Sequence, residues 1–210
     1  MAVSVIFQKL LQKSSVKMRE AQKNSVDWFR KLALGVKNVN TKEILNTNEP
    51  FKRVVKLSET SIGKMYMFAY DPKTKDSLPY YDVYPLIFPI QYYKDGFLGI
   101  NLHYLPPLAR AKLMDALYTL INNDKRDKTT KLRITYDILN QSARYNLFRP
   151  CVKKYLFAHV KSNFLYISPD EWNIALMLPT QKFVKNISTG AQVDVAATQV
   201  YRDSIRKANV

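Results

Sequence analysis

Cysteine and histidine are scarce in this sequence, which has one Cys and two His among 210 residues. A single Cys151 cannot form an internal disulfide, and so few side chains cannot supply a zinc site of the usual His/Cys kind. The glycine-rich phosphate loops GxxxxGK(S/T) and GxGxxG are also missing. We therefore expect no metal, no cofactor and no small-molecule substrate, in a protein that is folded or assembled inside a cell.

Acidic residues are few relative to basic ones. The chain has 17 Asp and Glu against 33 Lys and Arg, which gives a net charge of +16 and a pI near 9.8. Such an excess draws a protein toward polyanions such as DNA, RNA or acidic protein surfaces. A hydrophobic content of 47% predicts a folded core.

Long apolar runs are missing as well. The opening segment "MAVSVIFQKLLQK" is interrupted by Gln8, Lys9 and Lys13, so its apolar part is too short to span a bilayer, and no cleavage site of small residues follows it. We expect neither secretion nor a membrane partner.

Residues 1–50 are predicted to form a basic helical arm. Loose helical spacing of apolar residues is interspersed with basic ones, and the arm ends in an Asn-rich linker. One interpretation is a solvated helix face packed on a core; the other is an arm that lies on DNA or docks into a neighbouring subunit. The candidate contact residues are Lys13, Lys17, Arg19, Lys23, Arg30 and Lys31.

Residues 63–104 are predicted to form a small antiparallel sheet or barrel-like module. Short aromatic or β-branched runs alternate with turn signals, and Asp95-Gly96 is expected to make a tight turn in which glycine supplies a positive φ. Pro85 and Pro89 cannot donate to a β-ladder, so the strand between them should be short, bulged or at an edge. The clustered tyrosines either stack on nucleic-acid bases or, more commonly, fill a core or a protein interface; they are Tyr80, Tyr81, Tyr84, Tyr92 and Tyr93.

Short helices are predicted after this module. Apolar spacing indicates helices over residues 108–121, 130–145 and 150–162, and Ser168 with Glu171 reads as a capping box. Periodicity fades from Gln181, so the last residues should trail over a partner or stay mobile. The prediction is an α+β fold with three parts: the arm at 1–50, an α+β core domain at 51–180 and a C-terminal extension at 181–210.

A second basic group lies in the loop "NNDKRDKTTKLR". It could contact DNA phosphates without reading sequence, or pair with carboxylates of partner proteins. Its candidate residues are Lys125, Arg126, Lys128, Lys131 and Arg133.

Catalytic chemistry finds little support. His103 and His159 have no Ser or Cys partner at triad spacing, so each is expected to be a hydrogen-bonded structural histidine. Lys153 and Lys154 could lower the pKa of Cys151, but burial as a small apolar residue is the better interpretation. The triplet Asp71-Pro72-Lys73 resembles the acid-x-lysine pair of metal-dependent nucleases, yet it is also an ordinary turn and lacks a second acid. We expect no enzyme.

The block "GKMYMFAYDPKTKDSLPYYDVYPLIFPIQYYKDGFLGINLHYLPPLARAKLMDALY", followed by "RPCVKKYLFAHVKSNFLYISPDEWNIALMLP", resembles a family of small virion proteins of contractile-tailed, myovirus-type bacteriophages. Basic members of such particles include the DNA end protector, other head-completion components, and tail or baseplate parts. The resemblance implies a virion protein, assembled in the host cytoplasm, that contacts other virion proteins and possibly DNA. The alternative is a free nucleic-acid-binding protein that reads no sequence.

Overall fold

The computed structural model describes residues 40–46, 54–55, 57–58, 61–121, 127–146, 148–188 and 190–208. The predicted basic arm falls outside these residues, apart from its end. The helices are α1 (Thr41–Asn46), α2 (Pro107–Ile121), α3 (Lys128–Ser142), α4 (Trp172–Met177) and α5 (Ala197–Ala208). The strands are β1 (Val54–Val55), β2 (Met65–Met67), β3 (Tyr81–Asp82), β4 (Leu86–Tyr92), β5 (Gly96–Asn101), β6 (Val152–Leu156), β7 (Phe164–Ile167), β8 (Phe183–Asn186) and β9 (Gln192–Asp194).

The larger sheet has six strands in the order β1-β7-β2-β4-β5-β6. All of its neighbouring strands pair antiparallel, so the predicted α+β class with an antiparallel sheet is confirmed. Within the described residues the sheet is open, with β1 and β6 at its edges, and it does not close into a barrel. Strands β1, β6 and β7 lie outside residues 63–104, so the sheet extends well beyond the predicted module.

The two faces of this sheet bury different side chains. Met65, Leu86 and Phe88 point into an aliphatic core that includes α2 and α4, where the Phe88 ring meets the Trp172 ring edge-on at 4.9 Å. The alternate residues enter an aromatic cluster on the other face, whose buried members are Leu57, Tyr66, Phe68, Tyr70, Ile87, Phe97 and Tyr155. Burial on both faces explains why β4 reads as a continuous apolar run.

The described residues after Gln181 form regular secondary structure, contrary to expectation. It forms β8 and β9, which join β3 in a three-stranded sheet of order β3-β8-β9, and then α5. Val200 and Ser204 are buried, one turn apart on α5. The sequence pattern of these elements is weak, because β8 and β9 are short and only one narrow stripe of α5 is apolar. The division of the chain into three domains stays a prediction.

Two further predictions for the second half are wrong. Residues 150–162 are not a helix: β6 pairs with β5 from Gly96↔Leu156 to Ile100↔Val152, because sheet pairing overrides weak local preference. Ser168 does precede a helical turn, the 3₁₀ turn Pro169–Glu171, but its side chain makes no capping bond. The helices predicted at 108–121 and 130–145 are confirmed as α2 and α3, with shifted ends at α3.

A buried arginine ties three helices to one another. Arg110 of α2 donates to the backbone carbonyls of Leu105 (2.7 Å), Leu176 (2.9 Å) and His103 (2.9 Å), and to the hydroxyl of Tyr201 on α5. The guanidinium therefore bonds to groups from α2's own entry turn, α4 and α5 at once. Its planar set of donors suits such a junction, where a lysine could not reach as many acceptors.

The β4–β5 hairpin contains the predicted turn and the predicted bulge, but its glycine is required for a different reason than expected. Tyr93 N–H donates to Gly96 O (2.8 Å), which confirms the turn, and the register shifts between Pro89 and Gln91, which confirms the bulge. Positive φ, however, occurs at Gly63 and Gly190 rather than at Gly96. Gly96 is needed because a Cβ there would overlap the carbonyl oxygen of Tyr155 on the paired strand.

We predict that Gly96→Ala destabilises the protein by about 1–3 kcal/mol, the usual cost of overpacking. The added methyl would meet backbone, which cannot give way without shifting β6. Gly99→Ala is the matched control on the same strand, since its Cβ would lie 3.3 Å from the end of the Ile87 side chain. Urea unfolding of both variants tests this: an equal loss at the two positions would contradict the steric account.

Candidate nucleic-acid interface

A buried carboxylate joins the two sheets. Asp82, at the end of β3, accepts hydrogen bonds at Oδ2 from His103 Nδ1 (2.7 Å) and Asn101 Nδ2 (3.1 Å). Its Oδ1 accepts from the backbone N–H groups of Tyr84 (3.1 Å) and Lys182 (3.2 Å). Asn101 ends β5 of the larger sheet and Lys182 precedes β8 of the smaller one. One carboxylate thus fixes the distance between the sheets, and its many donors compensate its burial.

The imidazole of His103 extends this network. Because the carboxylate of Asp82 can only accept, Nδ1 carries the proton, and Nε2 accepts from the hydroxyl of Thr180 at 3.0 Å. His103 is fully buried. Burial lowers its pKa and outweighs the opposing effect of Asp82, while the nearby Arg110 also lowers it. The ring is therefore neutral and serves as a hydrogen-bonded structural histidine, as expected from the sequence.

An open cleft lies beside this junction, between β6 and the loop that follows Tyr70; we call it the tyrosine–lysine cleft. Its cavity volume is about 490 Å³, within the range of about 300–1,000 Å³ typical of ligand sites. Asp82 is part of its wall. The residues that give it its chemical character are Tyr70, Lys73, Tyr80, Tyr104, Lys153, Lys154 and Tyr155.

The rings of the cleft are held by contacts underneath. The Tyr155 hydroxyl accepts from Asn101 Nδ2 (3.1 Å), and the Tyr70 hydroxyl accepts from Leu156 N–H (3.1 Å). The rings of Tyr70 and Tyr155 pack edge-to-face with centroids 4.9 Å apart. Since Asn101 also bonds to Asp82, the floor of the cleft is tied directly to the junction between the sheets.

The ammonium groups of the cleft differ in their partners. Lys154 pairs with Asp95 at 2.9 Å and lies 5.1 Å from the ring centroid of Tyr93. Lys153 instead lies 4.4 Å above the ring of Tyr104. Among the described residues no carboxylate is within ion-pairing distance of Lys153. Burial lowers the pKa of Lys153, because its ammonium group loses part of its hydration.

The structure describes only some of the basic residues that the sequence predicted as contacts. Arg133 is exposed on α3, and Lys128 and Lys131 belong to the same helix. The basic residues of the arm, together with Lys125 and Arg126, lie outside the described residues. Contact roles for the whole set stay a prediction.

The predicted aromatic set is largely engaged within the fold. The ring of Tyr92 stacks on Phe97, Tyr81 is buried and accepts from Gln192, and Tyr84 is half-buried. Tyr93 remains 39% exposed. Of the set, Tyr80 and Tyr81 line the tyrosine–lysine cleft. Their role at an interface stays a prediction.

Sequence reasoning missed the cleft residues of β6. Lys153 and Lys154 were considered only as neighbours of Cys151, within a stretch predicted to be helical. Read as a strand, "VKKYL" would have placed Lys153 and Tyr155 on one face. Cys151 itself is buried, which raises its pKa to about 12 despite the nearby Lys153, and this confirms its interpretation as an apolar core residue.

The Asp71-Pro72-Lys73 triplet, the other candidate for catalytic chemistry, makes structural contacts. Asp71 forms an ion pair with Lys75 at 2.9 Å, and its carbonyl accepts from His159 Nδ1 (2.9 Å), so the Asp71-Pro72-Lys73 triplet is part of a turn. Across the ranges that the structure describes, no group of His, Cys, Asp or Glu side chains is arranged to hold a metal ion. In those same ranges, no helix is long and apolar enough to cross a membrane.

The fold and the cleft define a basic α+β protein whose surface combines ammonium groups with tyrosine rings, a combination suited to nucleic acid. The chain matches, over residues 5–204, the family model described as phage T4 terminal DNA protecting protein. It therefore belongs to that family, which confirms the resemblance to myovirus-type phage proteins. Of the virion proteins named in the sequence analysis, the family corresponds to the DNA end protector. No curated protein and no solved structure matches the chain.

We predict that His103 makes stability depend on pH. Its pKa is lower in the folded than in the unfolded chain, so the unfolded state takes up the proton first as pH falls. The stabilisation is complete above about pH 6.5, the ordinary histidine value, and is lost below it. His103→Asn keeps a donor toward Asp82 but cannot titrate. Its unfolding midpoint should fall less than that of the wild type between about pH 7.5 and about pH 5.5; parallel declines would contradict the assignment.

Proposed function

We propose that this protein binds the ends of packaged DNA in a phage particle and shields them, without reading their sequence. The observation that carries the proposal is the family match over residues 5–204, whose description names the protection of terminal DNA. DNA is accordingly the proposed partner and the virion the proposed location. The protein would act by binding and not as an enzyme.

The physical properties of the chain support DNA as the partner. A net charge of +16 favours association with phosphates through counterion release, a contribution that does not depend on base sequence. The tyrosine–lysine cleft adds what charge alone lacks, namely aromatic surface beside ammonium groups. Stacking on such rings tolerates any base, because every base has a π-face.

Contacts with other virion proteins belong to the same proposal. A DNA end in a particle lies next to the proteins that close the head, and the basic arm could dock on them as well as on DNA. Assembly would take place in the host cytoplasm. A tail or baseplate position, the other possibility considered from the sequence, has no support in the family description.

End binding can be distinguished from coating by digestion of linear duplexes. We predict that the purified protein slows an exonuclease but leaves interior cleavage by an endonuclease unchanged. Because each duplex has the same number of ends, the protein concentration for half-protection should depend on the concentration of ends and not on duplex length. A requirement that grows in proportion to length would contradict end binding and indicate coating.

The second basic group, part of which belongs to α3, gives another prediction. If its residues neutralise phosphates, their replacement by glutamine should reduce the slope of log affinity against log salt by about 0.9 for each phosphate that is no longer neutralised, equally for any duplex sequence. The variant replaces Lys125, Arg126, Lys128, Lys131 and Arg133 together. An unchanged slope combined with failed incorporation into particles would show that these residues bind acidic proteins instead. An unchanged slope with normal incorporation would contradict both roles.

A further inference from the structure

Two lysines of the tyrosine–lysine cleft, Lys153 and Lys73, have no carboxylate at ion-pairing distance among the described residues. Lys153 is half-buried and lies 4.4 Å from the ring centroid of Tyr104. Lys73, an exposed residue that also lines the cleft, likewise has no carboxylate at ion-pairing distance among the described residues. A partly desolvated cation is unfavourable unless an anion compensates it. Lys154 shows the contrast, because Asp95 already neutralises it.

One tyrosine in the cleft is placed to receive a flat group. Tyr80 is half-buried and is stacked against Tyr104, with centroids 6.1 Å apart and planes at 29°. The accessible part of its ring contributes to the cleft wall. Tyr104 is also the ring beneath Lys153. A stacking ring and an ammonium group therefore both contact Tyr104, and both line the cleft.

This pairing matches the chemistry of a nucleotide, which joins a phosphate to a planar base. A volume of about 490 Å³ suits a group of nucleotide size but not a double helix. A nucleotide in the interior of a duplex would have to leave the stack on both sides to enter, whereas one at an end is already free on one side. A cleft of this kind therefore distinguishes the end of a strand from its interior.

We propose that the tyrosine–lysine cleft binds the terminal nucleotide of a DNA strand, with its phosphate between Lys153 and Lys73 and its base against Tyr80. The inference rests on the proposed function, and it adds how the protein would recognise an end as such. The basic arm and loop would supply affinity for any DNA, while the cleft supplies the preference for ends.

The test compares two duplexes by fluorescence anisotropy with the full-length protein. One has a 5′-phosphorylated open end with a short single-stranded overhang; the other has the same sequence closed by hairpins. Lys153→Met removes the charge and keeps an unbranched apolar side chain. We expect it to lose about tenfold or more of the preference for the open end. Lys112→Met, the same change at an exposed position of α2 outside the cleft, should keep that preference.

A second comparison separates the nucleotide from its phosphate. Removing the 5′-phosphate from the open end should reduce binding in the wild type but not in Lys153→Met. A deoxynucleoside monophosphate should compete for the end better than inorganic phosphate does, and Tyr80→Leu should abolish that difference. Equal competition by the two anions would overturn the role of Tyr80 and leave a phosphate site only.

The outcomes distinguish the inference from the proposed function. If the wild type binds open and closed duplexes equally, both fail. If the wild type prefers open ends and Lys153→Met retains that preference as fully as Lys112→Met does, the cleft is not the end site, and the proposed function stands without it. Thermal unfolding of each variant shows whether it is folded. Should Lys153→Met be unfolded, Lys73→Met tests the same cleft from its exposed wall, with the same expected loss.

Discussion

The burial of one carboxylate is the constraint on which the rest of this structure depends. Asp82 accepts from His103, Asn101, Tyr84 and Lys182, and these donors come from both sheets and from the connections between them. Removing any one donor would leave a buried charge less well compensated, which is costly in a medium of low polarity. The sheets are therefore held in one relative position, and the cleft next to their junction keeps a fixed shape.

A fixed cleft matters for the proposed binding of DNA ends of any sequence. Because Asn101 bridges Asp82 and the Tyr155 hydroxyl, the aromatic floor is ordered before a ligand arrives, and little conformational entropy remains to be lost on binding. The same contacts keep Lys153 over Tyr104, where no carboxylate of the described residues is close enough to pair with its charge. In the mechanism that we propose, charge supplies affinity for phosphates in general, and the geometry of the cleft supplies the preference for an end.

Local signals in the sequence predicted much of the fold and little of the site. Helix α2 and the bulge at Pro89 follow from apolar spacing and from a missing backbone donor, both properties of neighbouring residues. Strand β6 forms instead because it pairs with β5. Glycine is needed at position 96 because the carbonyl of Tyr155, which is distant in sequence, approaches it closely. The cleft joins positions far apart in the chain, from Tyr70 to Leu156. No local pattern encodes such a juxtaposition, so the tyrosines were recognised as a group but not the lysines that complete the cleft.

The most direct test of this account is to map where a DNA end lies on the protein. A duplex with 5-iodo-deoxyuridine at its terminal position can be photocross-linked to the full-length protein, and the cross-linked peptide identified by mass spectrometry. We predict that the terminal nucleotide cross-links to peptides containing Tyr80 or β6, and that an interior iodo-deoxyuridine does not. Cross-links from the terminal nucleotide that fall only outside the tyrosine–lysine cleft, or the same pattern from both positions, would contradict the account.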